Sequence, residues 1–255
     1  MMKDVRFRAR AAATHFILSV LIGLVAGFFV LFLWYPGPFR EISGGGHLLQ
    51  LLMLVDVTLG PLLTFVLATS KKSRNELIAD IGIVVAVQLA ALSYGLWTSF
   101  SARPVYLVHE VDRFQVISPA MIDRDELKEA QIAFQSYPLL GPKLIGVREA
   151  IDVEEKLRSL DLALAGKDVA KRPSWWVPFG EKHRAILESR GRTVSSIKKI
   201  PGVDASKILE FLDAHGLKED EVLVFPVVGK KANWSLVLNR KNLELVGYIR
   251  VNLFV

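Results

Sequence analysis

The pattern of apolar and polar positions divides the chain at about residue 100. Before this point, long apolar runs with few charges cover most of the sequence. A helix needs about 20 apolar residues to cross a bilayer, and three runs reach that length. They lie at about 16–35, 48–69 and 77–100. The pattern predicts a transmembrane domain of three helices over 16–100, preceded by a short N-terminal segment, 1–15.

From residue 101 the pattern changes to short β runs and amphipathic helices. Val105–Val111 and Phe114–Ile117 predict a hairpin, and Lys143–Val147 predicts another strand. Helices are predicted to start at Asp123 and Asp152, each of which is followed by a glutamate three residues later, as in a capping box. Further helices are predicted to start at about Glu181 and at Asp204. Three final β runs, at 222–228, 234–239 and 243–251, predict an antiparallel β-meander. Residues 101–255 are therefore predicted to form one soluble α+β domain.

The net charge of +6 is concentrated beside the apolar runs. The cations in question are Lys3, Arg6, Arg8, Arg10, Lys71, Lys72 and Arg74. Because loops rich in Lys and Arg stay in the cytoplasm, the N-terminus and the second loop are predicted to be cytoplasmic. Residues 101–255 then lie outside, which is the periplasm in a Gram-negative cell. No basic patch interleaved with aromatics occurs, so the expected contact is the bilayer and not a nucleic acid.

Several chemistries have no support in the sequence. The chain contains no cysteine, which excludes disulfides, thiolate catalysis and cysteine-based metal sites. The five histidines show no metal-ligand spacing. No glycine-rich phosphate loop and no nucleophile elbow are present. We therefore expect no metal and no cofactor.

The second apolar run contains an aspartate at mid-depth, Asp56, followed by Gly60 and Pro61. A charged residue at this depth costs about 2.5–3.5 kcal/mol on insertion scales. Pro61 offers no N–H to the carbonyl of Val57, so a kink is predicted, with Thr58 or Thr64 bonding the freed carbonyls. A run that served only as an anchor would contain neither feature.

A polar residue at matching depth lies in the third run. With a rise of 1.5 Å per residue, Asp56 and Gln88 differ in depth by about 3 Å, so a hydrogen bond between their side chains is predicted. Asp56, Gly60 and Thr64 share one helix face, and Gln88 and Gly95 share another. These small, polar stripes suit close packing within the three helices or contact with a membrane helix of another protein. A proton-relay or catalytic role for Asp56 is a further alternative.

Trp175 and Trp176 are adjacent aromatics in a segment flanked by prolines. Such a pair could anchor on a partner or on the membrane surface in the periplasm. The alternative is that one ring fills the core while the other is half exposed.

Several motifs occur in order along the chain. They are Trp34-Tyr35-Pro36, the segment Asp56–Thr64, the segment Gln88–Gly95, Ala102–Tyr106 and Val111–Phe114. In this combination the chain resembles the type IV pilin accessory proteins of the TfpX/TfpZ group. It departs from them at its end, Asn252–Val255, where an acidic-Pro-aromatic close is expected.

The resemblance implies a bacterial inner-membrane protein that binds type IV pilin and promotes its assembly or display as pili. It implies that the protein is not an enzyme. It does not indicate which residues contact pilin. The competing hypotheses are a membrane enzyme or transporter subunit that uses Asp56, and a periplasmic sensor. The short predicted cytoplasmic parts count against a sensor. The sequence makes no prediction of oligomeric state.

Overall fold

The computed structural model describes residues 2–122, 124–180, 183–231 and 233–254. The chain divides into two compact units. The first holds the chain up to Arg40 together with Gly44–Ala102, and the second holds Glu41–Ser43 and the chain from Arg103 onward. Each unit is described by itself.

The first unit is helical. Its helices are α1 (Met2–Phe28), which continues as a π-helical segment (Phe29–Trp34), α2 (Phe39–Ile42, at the junction of the two units), α3 (Gly45–Leu67) and α4 (Arg74–Ser101). A capping box begins α4, in which Ser73 and Glu76 exchange hydrogen bonds with each other's backbone N–H groups. Within the described residues, two helices are long and apolar enough to cross a membrane, Met2–Trp34 and Arg74–Ser101. The apolar stretch found in α3, Met53–Leu67, is shorter. The apolar helices indicate membrane association, and the three-span arrangement stays a prediction.

The first helix begins well before the predicted start at residue 16. The carboxylate of Asp4 accepts hydrogen bonds from the backbone N–H of Ser70, at 2.7 Å, and from the Thr69 hydroxyl, at 3.0 Å. These bonds tie the first turn of α1 to the chain just beyond α3. Residues 2–15 therefore belong to the helical unit as the first turns of α1.

Pro61 does not end α3, which continues to Leu67. The Thr58 hydroxyl donates to the Leu54 carbonyl at 2.6 Å, and the Thr64 hydroxyl pairs with a side chain of α1. Neither bonds the carbonyl of Val57, so that part of the prediction is wrong. The Thr58 hydroxyl bonds a carbonyl one turn earlier in its own helix, whereas the Thr64 hydroxyl faces α1, which the local pattern cannot place.

The second unit contains a seven-stranded sheet within the described residues. Its strands are β1 (Tyr106–Glu110), β2 (Arg113–Ile117), β3 (Lys143–Val147), β4 (Trp176–Pro178), β5 (Val222–Val228), β6 (Trp234–Asn239) and β7 (Leu245–Ile249). They lie in the order β4-β3-β1-β2-β5-β6-β7. The hairpin and the strand at 143–147 are as predicted, the hairpin turn being one residue earlier, at Val111–Asp112.

The last three strands run antiparallel to one another, but they do not form a separate meander. Strand β5 also pairs in parallel with β2, and β3 pairs in parallel with β1. The sheet is therefore mixed, and β5, β6 and β7 form its antiparallel end. The parallel pairs join segments distant in sequence, which local alternation does not reveal.

Short helices cover the sheet: α5 (Arg124–Lys128), α6 (Val153–Leu164), α7 (Arg184–Arg190), α8 (Val194–Ile197) and α9 (Ser206–His215). As predicted, Asp152 caps α6, where it accepts the Glu155 N–H at 2.7 Å. Helix α5 ends earlier than the predicted Ala133, and α8 was not predicted. The predicted helix starts at Asp123 and Glu181 lie outside the described residues.

Both adjacent tryptophans lie in the interior of the second unit. Trp175 is 4% exposed and Trp176 is fully buried. The indole N–H of Trp176 donates to the Ala170 carbonyl at 3.0 Å, while the guanidinium groups of Arg148 and Arg172 lie over the Trp175 ring. Neither ring is an exposed anchor for a partner, nor is one half exposed as the alternative held. Both rings can be buried because β4 begins only at Trp176, whereas Trp175 ends a 3₁₀ turn, Pro173–Trp175, so the two side chains do not have to alternate across the sheet.

Candidate functional site

A cavity of about 400 Å³ lies among α1, α3 and α4. Most of its wall is aliphatic, as the apolar runs require. Polar side chains of all three helices also line it: Thr14, His15, Ser19, Asp56, Thr64 and Gln88. Three of the predicted site residues therefore meet at one cavity, together with polar groups from α1.

His15 connects the three helices. Its Nδ1 lies 2.6 Å from the Thr64 hydroxyl and its Nε2 lies 2.7 Å from Oε1 of Gln88. The Gln88 amide nitrogen faces a backbone carbonyl, which fixes Oε1 as the atom facing His15. Since a carbonyl oxygen only accepts, His15 donates from Nε2, and in its neutral form it accepts from Thr64 at Nδ1. Both ring nitrogens of His15 then have a hydrogen-bond partner.

Gln88 reaches Asp56, but not through its carboxylate. The Gln88 amide donates to the backbone carbonyl of Asp56 at 3.0 Å. The predicted bond between the two side chains is therefore replaced by a side chain–backbone bond. Asp56 is half-buried and lines the cavity, and no hydrogen bond to its carboxylate is formed within the described part of the chain.

Gly60 makes this approach possible. A Cβ at this position would overlap the Gln88 amide nitrogen and would come within 2.8 Å of Cδ and Oε1. Gly60 and Thr64 are buried in α3, and Pro61 between them is half-buried. Gly95 is buried in α4 one turn before Ser99, whose carbonyl accepts the Tyr35 hydroxyl at 2.9 Å. Gly95 thus lies at a different helix contact and not in the His15 network.

His15 is the site residue that sequence reasoning missed. The residue lies in the N-terminal segment outside the predicted first span, and the spacing of the histidines indicates no metal site, so the pattern gives His15 no role. A signal existed, because His15, Ser19 and Gly23 recur at four-residue spacing and form one small, polar stripe. All three line the cavity.

The second unit holds a buried histidine pair. The ring of His109 is 2% exposed, and ring centroids of Phe114, Phe225 and His183 lie 4.9, 5.7 and 6.3 Å away. Burial, and then the neighbouring His183, lower the pKa of His109 to about 4. Burial also raises the pKa of Glu110 next to it. Among the described residues, no group of three or more His, Cys, Asp or Glu side chains is arranged to hold a metal ion.

Two fimbrial assembly proteins of Dichelobacter nodosus, of serogroups I and E1, are similar to this chain along nearly its whole length. Each is 30% identical over 249 residues, which cover 97% of this chain and 96% of the relative. The chain belongs to the fimbrial assembly protein family. The fimbrial assembly protein of serogroups C1 and C2 from the same organism is 37% identical over 124 residues, 49% of this chain and 95% of that protein.

A family model, fimbrial assembly protein FimB, matches residues 3–44. That segment contains α1 and therefore His15. Membership in the fimbrial assembly protein family confirms the resemblance to type IV pilus accessory proteins that the sequence motifs indicated, and it supports a role in pilus assembly. It also suggests a non-enzymatic role. No solved structure matches this chain.

Proposed function

We propose that this fimbrial assembly protein spans the inner membrane three times, binds type IV pilin and promotes its assembly or display as pili. The observation that carries the proposal is the cavity among α1, α3 and α4, which combines aliphatic walls with the Asp56 carboxylate. Among the described residues, no group donates a hydrogen bond to this carboxylate. The interior of a bundle that only packs against itself would leave neither this space nor an acid without a hydrogen bond.

The chemistry of the cavity suits a membrane helix as the ligand. Apolar side chains of a partner helix can fill the aliphatic walls, and a polar group on it can bond Asp56. A volume of about 400 Å³ holds the side chains of about one helical turn and not a whole helix. The partner helix is therefore proposed to lie against the opening and to insert a few side chains.

The proposal includes a topology. The N-terminus and the loop at Lys71-Lys72 lie in the cytoplasm, and the domain from residue 101 lies in the periplasm, where the head of a membrane-held pilin would be within reach. Alkaline phosphatase fused at Val255 should then be active, whereas a fusion in the Lys71-Lys72 loop should be inactive. The reverse pattern would contradict the proposal.

Cavity variants test the pilin contact directly. Asp56→Leu and Gln88→Leu should each lower co-purification of pilin with the detergent-solubilised protein by about tenfold, as loss of 1–2 kcal/mol predicts. The matched control is Val55→Leu, which introduces the same side chain at a neighbouring position that is exposed and outside the cavity.

Accumulation of each variant in the membrane is measured by immunoblot, and piliation is measured by electron microscopy. Binding and piliation should fall in the cavity variants at normal protein levels and stay unchanged in the control. If all three variants bind pilin and support pili equally, the cavity is not the pilin-binding surface.

A further inference from the structure

Helix α6 of the second unit turns its apolar face away from the protein. Val153, Leu157, Leu160 and Leu164 are 73%, 59%, 60% and 81% exposed. The opposite face carries polar groups beside the half-buried Leu162. There Glu155 pairs with Arg148 at 2.6 Å, and the Ser159 hydroxyl accepts a hydrogen bond from Arg172 at 3.1 Å.

This orientation is the reverse of the usual one for a helix on a globular domain. Isolated exposed leucines are common, but a continuous apolar stripe along three turns marks an interaction site. Arg148, which also lies over the Trp175 ring, holds Glu155 on the inner side, so the apolar stripe is kept on the outside. We call Val153, Leu157, Leu160 and Leu164 the outer stripe.

The spacing of the outer stripe is 4, 3 and 4 residues, which is the a/d repeat of a coiled coil. With Leu157 and Leu164 as a positions and Leu160 as d, Lys156 occupies a g position and Asp161 the following e position. In a parallel pair, g of one helix faces the e position five residues later on the other helix. Lys156 would then face Asp161 of the second copy, and two-fold symmetry would form the pair twice.

Other arrangements fit the charges less well. An antiparallel pair would bring g positions beside g positions and e positions beside e positions, so Lys156 would face Ala163 and Asp161 would face Glu154. The helix carries Lys156 and Arg158 against Glu154, Glu155 and Asp161, so its net charge of 2 − 3 = −1 offers no attraction to anionic lipid headgroups.

We propose that the outer stripe binds the outer stripe of a second copy of this chain, with the two α6 helices parallel across a two-fold axis. A three-turn seam is smaller than the roughly 800 Å² per partner that stable free complexes bury. The apolar helices of the first unit compensate, because confinement of both copies to one membrane raises their local concentration. The proposal does not depend on the pilin contact.

Single cysteines test this contact, since the chain has none of its own. Leu157→Cys, Leu160→Cys and Leu164→Cys are introduced separately into the full-length protein, and native membranes are treated with copper phenanthroline. Each variant should form a disulfide-linked dimer on non-reducing gels. The control is Arg158→Cys, which is exposed on the same helix but outside the outer stripe, and it should form little dimer.

The three positions also report the direction of pairing. In an antiparallel pair only a residue near the symmetry axis meets its own counterpart, so dimer formation at one of the three positions alone would overturn the proposal. Equal dimer formation at Arg158→Cys and Leu157→Cys would also overturn it, as would a cross-link to a protein other than this chain. The variants could also form no dimer while their cysteines are protected from a water-soluble maleimide. This result would show that the outer stripe contacts lipid, and it would contradict the proposed contact with a second copy.

A charge exchange provides a second readout. In the Leu160→Cys background, Lys156→Glu should lower the dimer fraction by roughly fivefold or more, because two attractive pairs become repulsive. Adding Asp161→Lys should restore it. Both positions are exposed, so the fold is expected to tolerate the changes, and circular dichroism of the purified proteins checks this. If the dimer fraction changes neither with Lys156→Glu nor with the added Asp161→Lys, the parallel pairing of the two α6 helices is contradicted.

Discussion

Replacement of Gly60 by alanine provides a direct test of the geometry among α1, α3 and α4. The new methyl group would occupy the space of the Gln88 amide. The amide could move only by giving up its bond to the Asp56 carbonyl and its bond with His15. Gly60→Ala should therefore break the polar connection of all three helices, although it adds only one carbon atom.

The magnitude follows from the two lost bonds. Interhelical hydrogen bonds in membranes average about 0.6 kcal/mol and reach about 1.7 kcal/mol, so both together account for about 1–3 kcal/mol. Alanine is a better helix former than glycine by about 1 kcal/mol, which acts in the opposite direction. The net loss expected for Gly60→Ala is therefore about 0–2 kcal/mol.

The sign should reverse when Gln88 is shortened. In a Gln88→Ala background the obstructing amide is gone and its bonds are already lost, so Gly60→Ala should be neutral or should stabilise by up to about 1 kcal/mol. The coupling energy between the two sites is then about 1–3 kcal/mol. Gly82→Ala in α4 is the control for helix propensity, because a Cβ there meets nothing within 4 Å.

The assay is unfolding of the full-length protein in mixed micelles, with SDS as denaturant and far-UV circular dichroism as the signal. The wild type, the two single variants, the double variant and the Gly82→Ala control are compared. If Gly60→Ala changes the free energy of unfolding equally with and without the Gln88 side chain, the amide does not occupy the space beside Gly60, and the reasoning is refuted.

Two further predictions concern the second unit. Val111 has φ 55° at the tip of the β1–β2 hairpin, where a β-branched residue is strained. Val111→Gly should therefore raise the free energy of unfolding by about 1 kcal/mol in a denaturant titration. Val111→Ala, which keeps a Cβ, should not raise it. The second concerns pH. His109 has a pKa of about 4 in the folded protein, whereas its ordinary value is 6.5. Because the unfolded chain binds the proton more tightly, protonation destabilises the fold. About 3 kcal/mol of stability that is present above pH 6.5 should therefore be lost as the pH falls to 4. The raised pKa of Glu110 changes the stability with pH in the opposite direction. The free energy of unfolding is therefore measured against pH for the wild type and for His109→Gln, and the two curves are compared. Equal curves would contradict the burial of His109.

Local pattern determined much of this protein. The apolar runs predicted the helices of the first unit, and a short apolar run predicted β3 with both of its ends correct. Helical periodicity alone placed Asp56, Gly60 and Thr64 on one face, and the depth argument brought Gln88 to the same level. These inferences succeeded because each depends on residues within one helix or strand, or on the rise per residue along a helix.

Tertiary structure decided which groups meet. His15 bonds Gln88 from 73 residues away, and the Gln88 amide bonds the backbone carbonyl of Asp56 and not its carboxylate. The parallel pairing of β2 with β5, and the burial of both Trp175 and Trp176, likewise depend on segments far apart in sequence. Periodicity defines the faces of an element, but the partner of each face is selected by packing between elements, and that selection leaves no periodic trace in the chain.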